Sequence, residues 1–199
     1  YDSRVATRHL AWASECCGGR AYSAPLDALV ANRVCRVTCA APPIGGTCTS
    51  KSALWCYDAA PVYSAFAREE ALRVAHAWPA PAIVLQYLKT GDESIHAAAR
   101  AAAWAIWGAT KDTAEEPRGA SWVDAASAAL SALIDSAPWI QARASANNAA
   151  WHNAEAATQG RYDAATWSAA WDTTRRRPNR RLAKLLTDGR RLYGQRSVP

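Results

Sequence analysis

The chain of 199 residues contains no methionine, one phenylalanine (Phe66), ten glycines and four histidines. Each shortage excludes something. With four histidines (His9, His76, His96, His152) and no two at i, i+4, a helical zinc-hydrolase ligand pair is excluded. No Gly-rich phosphate loop of either the G-x-x-x-x-G-K or the G-x-G-x-x-G kind occurs, since Gly18-Gly19 and Gly45-Gly46 are turn glycines beside cysteine or proline. No G-x-S-x-G turn accompanies a serine nucleophile. Uncharged apolar runs long enough for a membrane-spanning helix are missing, so none is expected. Without a methionine, a chain opening Tyr1-Asp2-Ser3 reads as a processed form, a fragment, or part of something longer.

What is abundant is alanine, with 48 residues, beside ten tryptophans. Half the residues are apolar and 20% are charged, which excludes a disordered chain. A length near 200 suits one domain or one domain with an appendage. Alanine is the strongest helix former and lets helices approach closely. Large tryptophans then fill what small alanines leave open, an interleaving that suits antiparallel helix packing.

All six cysteines (Cys16, Cys17, Cys35, Cys39, Cys48, Cys56) lie in the first 56 residues, among Gly-Gly and Pro-Pro breakers. An even count in a loop-rich stretch is the pattern of a disulfide framework, with fifteen pairings possible. Two rivals stand beside it: a metal site on Cys35, Cys39, Cys48 and Cys56, whose spacing lacks a C-x2-C knuckle, and free thiols. Paired cysteines imply a secreted or lumenal protein, free ones an intracellular one.

Along this segment Val5 to Cys16 and Leu26 to Val37 are read as short helices. From Pro61 the texture becomes helical. One helix runs from Pro61 to Trp78, where Pro79 and Pro81 end it, and an apolar run from Ile83 to Leu88 stops at Gly91. Asp92 or Thr90 caps a helix from Ser94 to Ala109, and Lys111 to Gly119 is a loop. Ser121 opens a helix to Asp135, and Ser136 caps one from Pro138 to Gln159. Tyr162 to Thr174 forms another, and Pro178 starts a last helix to Gly189. The expected fold is all-α: an Ala/Trp-rich antiparallel bundle or short helical array with a Cys-rich, loop-rich N-terminal segment. The expected divisions are 1–60 for that segment, 61–192 for the bundle with a basic helix at 174–192, and 193–199 for a tail.

Three pieces resemble Ala-rich helical immunity proteins of high-GC bacteria and their phages, over about Arg68 to Leu192. They are Glu70-Ala71-Leu72-Arg73-Val74-Ala75-His76-Ala77-Trp78, the turn Lys89-Thr90-Gly91-Asp92-Glu93-Ser94 leading into Ala97 to Trp104, and Trp171-Asp172 followed by Arg177-Pro178-Asn179-Arg180-Arg181-Leu182. Arg8 to Ala13 matches the start of the same group. The Cys16 to Cys56 stretch and the double-proline break depart from it. The resemblance implies a helical binding protein that neutralises or scaffolds a partner, with no enzyme activity to carry over.

Charge is placed unevenly. Between Arg175 and Arg196 lie nine basic residues and one acid, a net +8, whereas the rest of the chain carries a net −2. The basic set is Arg175, Arg176, Arg177, Arg180, Arg181, Lys184, Arg190, Arg191 and Arg196. Guanidiniums at this density suit bidentate contact with phosphates or carboxylates, so an acidic protein surface or a nucleic acid is the expected partner. The bland reading of the same run is a solvated helix end. For catalysis the residues offer little: His152 and Glu155 at i, i+3 read as a polar pair on a half-exposed helix face. Asp112, Glu115 and Glu116 read as a charged loop. No catalytic, metal or cofactor residue is assigned. The leading expectation is a non-catalytic binding or assembly subunit docking through its arginine-rich C-terminus. The alternatives are a secreted, disulfide-stapled effector or hydrolase, and an accessory subunit of a large organellar or viral assembly.

Overall fold

The structure, a computed structural model, describes residues 9–14, 20–39, 51–113, 121–158 and 163–193. Four strands come first: β1 (His9–Ala13), β2 (Ala21–Tyr22), β3 (Arg33–Cys39) and β4 (Lys51–Asp58). Six α-helices follow: α1 (Ala60–Val74), α2 (Ala82–Thr90), α3 (His96–Thr113), α4 (Ser121–Leu133), α5 (Pro138–Thr158) and α6 (Ala164–Tyr193). Contacts divide the chain into two units: residues 1–62 with 179–199, and residues 63–178. The long helix α6 gives residues 164–178 to the second unit and 179–193 to the first.

The fold is mostly helical but not all-α. The first unit carries an antiparallel sheet of order β2-β1-β3-β4, in the stretch that the sequence reading made helical. β1 and β3 lie where helices were expected, and the only helical piece among the described residues there is a 3-10 turn at Pro25–Ala28. The physical reason is visible in β3, where Val34, Val37 and Thr38 are β-branched and pack well on a pleated surface. Side chains alternate accordingly. Trp12 of β1 pairs with Tyr22 and with Arg36, and Arg36 pairs with Trp55 of β4, so one row of large side chains crosses all four strands. The opposite face is built from small residues: Ala11, Ala13, Ala21, Cys35, Val37 and Cys39 are completely buried. The pairing of β3 with β4 shifts between Arg36 and Val37, leaving Leu54 as the extra, exposed residue of a bulge.

Cys35 and Cys56 face each other across β3 and β4 with Cα atoms 4.1 Å apart, and they are disulfide-bonded. That separation matches the narrow pairs of an antiparallel ladder. The bond removes both residues from the four-cysteine metal set. Cys39 is disulfide-bonded as well. Cys16, Cys17 and Cys48 lie outside the described residues.

In the second unit the alanines do what their size allows. Ala99, Ala103, Ala125, Ala126, Ala128, Ala129 and Ala149 are fully buried around Val74, Val84 and Leu133. α4 and α5 run antiparallel and so close that side chains of one reach the backbone of the other. Ser145 Oγ donates to the Ala128 carbonyl at 3.0 Å, and Gln141 Nε2 to that of Ile134 at 2.8 Å. Asn148 Nδ2 donates to Ser131 Oγ at 3.1 Å. α2 stops at Gly91, whose φ of 66° is the left-handed conformation glycine adopts without strain. Asp92 then caps the next turn, accepting from the Ser94 N–H. Ser136 does not cap α5: its Oγ is buried and without a hydrogen-bond partner among the described residues. Among the described residues no helix is long and apolar enough to cross a membrane.

The basic helix also differs from expectation. Instead of two helices separated before Pro178, one helix runs from Ala164 to Tyr193 with Pro178 inside it. A proline in a helix interior costs about 3 kcal/mol or more through a lost hydrogen bond and a clash. Here the apolar spacing continues through it, since Pro178, Leu182 and Leu186 share one helix face and all three are buried. That burial offsets the defect.

Candidate polyanion-binding face

The C-terminal half of α6 is anchored inside the first unit. Leu182 and Leu186 are completely buried. The Tyr57 hydroxyl donates to the Leu186 carbonyl at 2.7 Å, and Asn179 Oδ1 accepts from the Leu26 N–H at 3.1 Å. Burial, with Tyr193 nearby, pushes the Tyr57 phenol well above its ordinary value, so it stays a donor at any physiological pH. Gly189 makes the close approach possible. A Cβ there would lie 2.6 Å from Val62 Cγ2 and 2.8 Å from the Tyr57 hydroxyl. Arg190 adds a guanidinium 5.7 Å from the centre of the Trp55 ring.

With that face held, the opposite face is basic. Residues at i, i+4, i+7 and i+11 fall on one stripe of a helix. From Arg180 that spacing selects Lys184, Thr187 and Arg191, all exposed. Lys184 Nζ pairs with Asp188 at 3.0 Å, one helical turn on, with both side chains open to solvent. Such an exposed pair contributes at most about 1 kcal/mol and can be exchanged for another partner. Arg180 and Arg191 make no ion pair among the described residues.

The remaining predicted residues are placed differently. Arg181 is half-buried on the flank of the helix. In the second unit Arg176 is exposed, whereas Arg175 lies over Trp171 at 5.6 Å. Arg177 Nη1 is 3.5 Å from Glu70, a completely buried carboxylate that also accepts from Arg73 Nε and Nη2 at 3.1 and 2.8 Å. Arg177 therefore has a buried carboxylate as its ion-pair partner while its own side chain stays exposed, and the eight predicted cations differ in their surroundings. Arg196 lies outside the described residues.

No family model, curated protein or solved structure matches the chain. The chemistry must therefore be read from the residues themselves.

Two groups escaped the sequence reading. The first is Arg36, whose guanidinium stacks on Trp12 at 4.4 Å, with Nη1 buried and without a hydrogen-bond partner among the described residues. Burial lowers its pKa. Only strand pairing brings Trp12, Arg36 and Trp55 into one row, and the helical reading of this stretch hid it. The second group lies in the helical unit. His152 and Glu155 are buried, not half-exposed as expected, and the rings of His76 and His152 meet edge to face at 6.4 Å. Asp124 of α4 is held beside Glu155, and burial first, then the charge of Glu155, pushes its carboxyl up to about 6. One atom of that carboxyl is buried with no hydrogen-bond partner among the described residues. His96 is apart from this group, with Nε2 3.0 Å from the Leu133 carbonyl and its ring against Tyr87. Asp112 is in the last turn of α3 rather than in a loop, and its side chain, that of His9, and Glu115 and Glu116 lie outside what is described. Among the described residues no three His, Cys, Asp or Glu side chains converge to hold a metal.

Proposed function

We propose that the protein is a non-catalytic binding or assembly protein that docks on an acidic partner through the basic face of α6. The observation that carries this reading is the two-sidedness of residues 179–193. Leu182, Leu186 and Gly189 are buried, and Arg180, Lys184 and Arg191 are exposed on the opposite side. A helix pinned along one side presents its cations without a large loss of side-chain and backbone entropy on binding. The test is binding of the full chain to two polyanions, heparin and polyglutamate, beside the variant Arg180→Glu/Lys184→Glu/Arg191→Glu. Loss of binding with an unchanged melting temperature supports the reading. Equal binding by the variant refutes it.

A second reading concerns where the protein works. Disulfides persist mainly in oxidising compartments, and the bonded Cys35, Cys56 and Cys39 favour a secreted or lumenal effector. The measurement is the number of alkylated cysteines in native protein before and after reduction. Six labels without reduction would refute it.

A further inference from the structure

We propose that the acidic partner of α6 is nucleic acid, gripped by its phosphate backbone without reading sequence. This rests on the docking role of α6 and narrows it to one partner class. Two features of the face favour a phosphodiester strand over an acidic protein.

The first is shape. Arg180, Lys184 and Arg191 stand in a line along a helix whose rise of 1.5 Å per residue spaces the two arginines about 16 Å apart. A phosphate backbone is a regular line of single charges, whereas carboxylates on a folded protein surface are scattered and mixed with cations. The second is what the stripe lacks. Protein–protein interfaces have an apolar or aromatic centre from which charged residues are depleted. The centre of this stripe is the charge itself with Thr187 between, and the buried residues of the helix point the other way. Interfaces with nucleic acid are, by contrast, more polar and far more positive.

The same face explains the absence of sequence reading. Base edges are read chiefly by arginine in bidentate contact with guanine and by Asn or Gln with adenine. Asn179 already accepts from the Leu26 backbone, and the exposed stripe itself carries no amide side chain. Cations on an exposed line then supply a contact governed by counterion release.

The experiment is fluorescence anisotropy of the full chain with a labelled, mixed-sequence oligonucleotide, single-stranded and duplex, over a salt series. Polyglutamate serves as the competing probe. Three phosphate contacts give a log–log salt slope of about −2.7 on duplex, which is a roughly 40-fold loss between 50 and 200 mM salt. Arg191→Gln lowers the slope by about one and weakens all sequences alike. If polyglutamate competes as well as nucleic acid and depends on the same cations, the nucleic-acid assignment falls while the docking role of α6 stands. If neither probe binds, both fall. Sequence preference retained in Arg191→Gln, or a flat salt dependence, also overturns the proposal.

Discussion

Asp124→Asn is expected to stabilise the protein, and only where the wild-type carboxyl is ionised. Asp124 sits in the first turn of α4, where the helix dipole favours a negative charge by about 0.3–1 kcal/mol. On that ground alone its carboxyl should fall below 3.8. It instead rises to about 6, with burial the larger cause and Glu155 the second. Desolvation and repulsion therefore outweigh the dipole. A rise from 3.8 to about 6 corresponds to about 3 kcal/mol at 1.36 kcal/mol per pKa unit. Asp124 is only half-buried, so solvent screening reduces the usable figure to about 1–1.5 kcal/mol. The sign follows from linkage. Between pH 3.8 and about 6 the folded chain binds more protons here than the unfolded chain, so this group's contribution to stability is full below 3.8. It declines as pH rises and is lost above about 6. Asparagine removes the ionisation and keeps the shape. Thermal or urea melts at pH 8 should show the variant about 1 kcal/mol more stable, or roughly 2–4 °C in Tm for a chain of this size. At pH 4 the two proteins should melt together. A variant no more stable than wild type at pH 8, or equally stabilised at both values, would show that the carboxylate is not strained by burial.

The buried ion cluster gives an opposite sign. Arg73→Ala leaves the completely buried Glu70 with Arg177 at 3.5 Å as its remaining cation among the described residues, and a loss of about 2–4 kcal/mol is expected in denaturant melts. Gly189→Ala should destabilise by about 1–3 kcal/mol, because contacts of 2.6 and 2.8 Å at the new Cβ exceed what better helix propensity returns. A gain in Tm would mean that Tyr57 and Val62 move aside freely. Replacing Cys35 and Cys56 together by alanine opens a link spanning 21 residues, and a loss of about 3 kcal/mol is expected by chain entropy. An unchanged melt in the double variant would count against a structural role for that bond.

The helices of the second unit were readable because their punctuation is local. Pro61, Gly91, Asp92 and Pro138 act on their own neighbours: α1, α2 and α5 begin or end beside Pro61, Gly91 and Pro138, and Asp92 caps the turn that leads into α3. The sheet was not readable in the same way. In His9 to Ala13 the alternation is blurred because alanine takes either periodicity, and the arrangement becomes specific only when Trp12 finds Arg36 and Cys35 finds Cys56 from distant positions. Ala-rich sequence thus hides strands by looking like helix everywhere, and only its β-branched and cysteine positions betray them. The interior of the helical unit was hidden for a related reason. His152 and Glu155 share a helix face in any reading, but what buries them is the close approach of α4 and α5, which alanine makes possible without announcing it.

The basic run was the most visible feature of the sequence, and visibility overstated its unity. A count of charges cannot tell Arg177, exposed but 3.5 Å from a buried carboxylate, from Arg180, one turn on, exposed and without an ion pair among the described residues. Helical angle does not separate them, since both lie away from the side that the chain's own apolar residues claim; the difference is the Glu70 carboxylate within reach of Arg177. Leu182, Leu186 and Gly189 fix that side, and each exposed cation then follows by helical angle from them. Arginine content alone predicts affinity for anything acidic. The anchoring residues convert it into a line of charges with one direction and one face, and that geometry is what a salt slope and single-site variants can measure.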